Sequence, residues 1–163
     1  MHTIFLQSAG NVPTFTPGPF YDLAFPVHSL MRYVVLLFLG WAIVTANKAR
    51  KNSSLEFTSV RRPAFFTILA IDIQLLLGIY LWIVRVMYVG GYSAEAKGGF
   101  MDKFSNLKRI TKVDSERIVL LEHALIMFIA LVIIHIGYAK AKRAATDQLK
   151  SKRIFVFYTI GLV

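Results

Sequence analysis

Three runs of about 20 residues, almost free of charge, govern what this chain can become: Pro26 to Ala46, Pro63 to Val84 and Ile118 to Ala139. A helix rises about 1.5 Å per residue and a bilayer's hydrocarbon core is about 30 Å thick, so each run is predicted to cross a membrane once. Composition agrees: 56% of the 163 residues are hydrophobic, and the mean hydropathy is +0.56. A soluble domain of this size has no interior large enough for that much apolar surface.

A fourth apolar run, Ile154 to Val163, covers only about half a bilayer at helical rise. A half-helix ending in lipid would leave carbonyls without partners. The expected fold is an all-α membrane protein, a four-transmembrane-helix bundle whose fourth helix is truncated in this sequence. Residues 1–25 carry Pro13, Pro17 and Pro19 and lack a basic n-region. They are expected to form an irregular periplasmic lead-in rather than a signal sequence, followed by one transmembrane domain over 26–163.

The net charge of +10 sits between the apolar runs. Lys48, Arg50, Lys51, Arg61 and Arg62 follow the first; Lys140, Lys142, Arg143, Lys150, Lys152 and Arg153 follow the third. The lead-in has no Lys or Arg, and the loop 85–117 offsets its seven with four acids. This distribution sets topology and argues against nucleic acid as a partner. It predicts a multi-pass membrane protein with the two basic loops in the cytoplasm and the N-terminus and loop 85–117 outside. In that loop Met101, Phe104, Leu107 and Ile110 fit a short surface helix or a solvated loop equally well. Without cysteine there is no disulfide, thiolate metal site or covalent c-type haem. No phosphate loop, HExxH or nucleophile elbow occurs either.

Ionisable residues inside spans are costly and mark candidate sites. His28 lies 19 residues before Asn47 and His123 lies 17 before Lys140. Counting rise from those ends puts both near the outer leaflet at about the same level. Two level imidazoles on different helices are what a b-type haem iron requires as axial ligands. Arg32, one turn below His28, and Arg85, at the outer end of the second span, are candidate propionate partners. The bland alternatives are an interfacial His28, a His123 that holds helices together, and an Arg32–Glu122 pair. Gly40 and Gly78 would permit close helix approach. Asp72, Gln74, Glu122 and His135 remain candidates for proton or quinone contacts, or for helix packing. Asp72 and Gln74 fall on different faces of one helix.

The segments HSLMRYVVLL, IDIQLLLGIYLW, LLEHALIMFIALVIIHIGYAKAKR and KSKRIFVFYTIGL together resemble a family of small four-helix inner-membrane proteins of Bacteroidetes-type bacteria, described as cytochrome b-like. The resemblance covers about residues 27 to 163, apart from most of the second loop. His28 with Arg32, and Glu122 with His123, fall on its HS-x-x-R and EH elements. It implies a respiratory or redox membrane setting and a fourth helix that continues further.

The expectation is a b-type haem electron-transfer subunit with His28 and His123 as iron ligands, possible linkage to quinone, and other membrane subunits as partners. It is an electron carrier or accessory subunit rather than a stand-alone enzyme. The competing expectation is a cofactor-free structural subunit of a larger complex.

Overall fold

A computed structural model describes residues 19–52, 54–84 and 117–163. Every element among them is helical. Helix α1 covers Pro19–Lys51 and α2 covers Thr58–Val84. A π-helical turn over Ile118–Glu122 leads without a break into α3, His123–Lys142, and α4 covers Asp147–Leu162. Three of the four, α1, α2 and α3, are long and apolar enough to cross a membrane. Helix α4, with 16 residues, is shorter.

Two boundaries differ from expectation. Residues 19–25, read as irregular lead-in, are helical, and α1 runs 33 residues. Pro19 opens the helix, where a missing N–H costs nothing. Pro26 removes one intrahelical bond without ending the helix. Helix α4 also starts seven residues before Ile154. Thr146 adopts extended backbone as its cap and accepts from the Leu149 N–H at 3.3 Å.

The helices are held together at one end. Helix α1 packs along both α2 and α4, α3 packs along α4, and α2 meets α3 only briefly. The buried cluster joins Ala42, Ala46 and Ala49 on one face of α1 to Val60 and Ala64 on α2 and Tyr158 on α4. Small residues let backbones approach where lipid supplies no hydrophobic drive for helix association. At Gly137 an added Cβ would collide with Phe157, and at Gly161 it would stand 2.7 Å from Ile134 Cγ1. These glycines set the close α3–α4 approach. Gly40 does not serve that purpose, since a Cβ there meets nothing within 4 Å.

The same end carries the basic residues and is fastened by polar contacts. Asp147 Oδ2 accepts the Phe57 N–H at 3.1 Å, and Oδ1 takes the Lys150 ammonium at 2.8 Å. The Lys150 ammonium also stands 5.6 Å from the centre of the Phe57 ring. Arg153 donates to the Lys140 carbonyl, and Arg50 lies 4.2 Å over the Phe155 ring. The opposite half is looser. Five consecutive residues of α3, Leu125 to Ile129, are each 49–61% exposed. A helix exposed all the way round has no described neighbour on any side at that level.

Candidate functional site

Helix α1 presents His28 to α2. The Gln74 amide nitrogen donates to the His28 carbonyl at 3.0 Å and lies 3.4 Å from ring Nε2. A carbonyl only accepts, so the Gln74 NH2 must be the group facing it, and its second hydrogen is directed at Nε2. Nε2 is then the acceptor and the proton resides on Nδ1. The ring is seated on Gly78, where an added Cβ would be 3.1 Å from Cε1. Gly78 therefore admits an imidazole, not a second backbone. His28 Nδ1 and Gln74 Oε1 are buried without a hydrogen-bond partner. Buried polar atoms are rarely left unpaired, so these two single the place out.

The His123 imidazole is within electrostatic reach of His28. It is exposed, at the first α-helical position after the π-turn, where its own N–H reaches back to the Ile118 carbonyl. A π-turn rotates the succeeding residues relative to a regular helix and recurs at functional positions.

Arg32 does not turn toward the pair. Arg32 is exposed, donates to the Tyr33 hydroxyl at 2.9 Å and lies 4.7 Å over its ring. Glu122 is bound by Arg117 at 3.1 Å instead of by Arg32. Arg85 and the Met101–Ile110 segment lie outside the described residues.

Asp72 and Gln74 diverge as their spacing predicts, Gln74 toward α1 and Asp72 toward α3. The Asp72 carboxylate meets His135 Nε2 at 3.2 Å, and His135 Nδ1 lies 3.0 Å from the Leu131 carbonyl. The Asp72–His135 and His28–Gln74 partnerships join residues from different helices, which spacing within one helix does not reveal.

The donor set suits a haem iron in kind. A ligating imidazole offers its Nε2 lone pair and keeps a proton on Nδ1, the tautomer that Gln74 imposes on His28. The open surroundings of α3 at Leu125 to Ile129 are apolar, as a porphyrin edge requires. The Gln74 amide opposes the fit: it must leave Nε2 before His28 can ligate. No protein-family model, curated protein or solved structure matches the chain.

Proposed function

We propose that this chain is a b-type haem-binding electron-transfer subunit of a respiratory or redox complex in a bacterial inner membrane. It is read as a four-span bundle in which α4 is the fourth helix. The basic end faces the cytoplasm and the N-terminus lies outside. The observation that carries the reading is the His28 seat: an inward imidazole on Gly78, held in the ligating tautomer, with a second imidazole on α3 within electrostatic reach. His28 and the exposed His123 would be the axial ligands, with Arg32 and Arg85 as the propionate partners, Arg32 leaving Tyr33 to reach them. Haem, when bound, supplies a one-electron iron couple whose potential depends on its axial ligands and burial. A quinone is the membrane-soluble electron partner that such a subunit would meet. Resemblance to the cytochrome b-like family supports the same setting.

A second reading rests on the Gln74–His28 carbonyl bond at 3.0 Å. In it His28 and Gln74 clamp α1 to α2, and the chain is a cofactor-free accessory subunit. Haem per chain, determined chemically on protein purified in mild detergent, separates the two. A stoichiometry near one, abolished by His28→Ala, supports the carrier. A stoichiometry near zero after expression with ample haem supports the clamp.

A further inference from the structure

The Asp72–His135 contact sets two hydrogen-bond acceptors face to face unless a hydrogen lies between them. His135 Nδ1 faces the Leu131 carbonyl at 3.0 Å, and a carbonyl oxygen cannot donate, so Nδ1 carries hydrogen. In a neutral imidazole Nε2 is then a bare lone pair. Yet Nε2 stands 3.2 Å from a carboxylate oxygen, which is also an acceptor. Two acceptors at that distance repel, and the contact is attractive only with a hydrogen between them. That hydrogen makes either an imidazolium beside a carboxylate or a neutral imidazole beside a carboxylic acid. Both arrangements contain one more proton than a neutral histidine and an ionised aspartate, and both are neutral overall.

Position turns this into a binding site. The pair lies roughly 10–20 Å in from the basic end of the helices, well inside a core of about 30 Å. A neutral pair tolerates that depth, whereas an unprotonated pair would be a net anion with its charge facing a lone pair. The side chains are 38% and 46% exposed, so the pair is not sealed within the protein. Several other ionisable groups on the packed helices have partners of their own, Tyr80 on α2 standing edge-on to Phe20. Arg32 on α1 bonds Tyr33, Tyr158 on α4 donates to the Ala64 carbonyl, and Tyr138, one turn along α3, lies under the Lys142 ammonium.

We infer that Asp72 and His135 form a site that binds one exchangeable proton within the membrane and joins α2 to α3 while the proton is present. The site stands apart from the His28 seat and does not depend on haem. Its ligand is the proton itself, taken up with helix contact and released with its loss.

Solid-state NMR of the full chain in lipid bilayers tests this, with ¹⁵N-histidine and ¹³C-labelled aspartate and leucine. His135 is assigned by the coupling of its Nδ1 to the Leu131 carbonyl carbon, which needs no variant. At neutral pH the expected result is Nδ1 protonated, together with either a protonated Nε2 beside an ionised Asp72 or a bare Nε2 beside a protonated Asp72. Asp72→Asn, nearly isosteric, is expected to leave a neutral Nδ1–H imidazole and remove about one bound proton per chain. A neutral imidazole beside an ionised Asp72 in the wild-type protein, in either tautomer, would overturn the inference. So would an Asp72→Asn chain that binds as many protons as the wild type. Haem content plays no part in the readout, so the proton site and the haem reading can fail separately.

Discussion

The Tyr158 hydroxyl donates to the Ala64 carbonyl at 2.9 Å, tying α4 to α2 across 94 residues of sequence. Tyr158 is fully buried, and the carbonyl it reaches belongs to a helix crossing the same core. Tyr158→Phe keeps the ring and removes one neutral hydrogen bond, so it is expected to cost about 1 kcal/mol. Tyr158→Ala also opens a cavity and is expected to cost about 3–5 kcal/mol. Thermal unfolding in detergent, followed by circular dichroism, checks both; equal losses would contradict the packing described.

Two glycines predict opposite outcomes for one substitution. Gly137→Ala sets a methyl against Phe157 Cβ, an atom that moves only with its backbone. The α3–α4 approach must loosen, at an expected cost of about 1–3 kcal/mol. Gly40→Ala meets nothing within 4 Å and gains helix propensity, so it should be neutral or stabilising by up to about 1 kcal/mol. The two thermal midpoints should move apart in the same detergent.

Asp147 makes the basic end sensitive to acid. The Lys150 ammonium, and next the Phe57 N–H, hold its carboxyl below its ordinary value of 3.8. A depressed carboxyl contributes stability that is present above the unfolded value and lost as pH falls through the folded one. The thermal midpoint of the wild type should therefore exceed that of Asp147→Asn above about pH 4, and the gap should close below it. A gap that persists at lower pH would show that charge on Asp147 is not what joins α2 to α4.

Much of this arrangement is written into single segments, and the rest is not. Spans are legible because burial in lipid demands length and apolarity, which Pro63 to Val84 shows without any partner. The start of α4 was obscured by polar composition, although Thr146 followed by Asp147 and a helix-forming stretch is a capping signal. Pro26 looks like a boundary in sequence, yet α1 runs through it to Lys51, since a proline there removes only one intrahelical bond. Interhelix partnerships were least legible. The diverging faces of Asp72 and Gln74 follow from helical period, but their partners His135 and His28 depend on the stagger of three helices.

The central claim is that the imidazoles of His28 and His123 hold a haem iron. The most direct test is a reduced-minus-oxidised absorption spectrum of the full-length protein, compared with His28→Ala and His123→Ala. The account predicts a b-type α-band in the wild type that both variants lose while remaining folded. A colourless wild type after expression with ample haem, or a band that survives both substitutions, would contradict it.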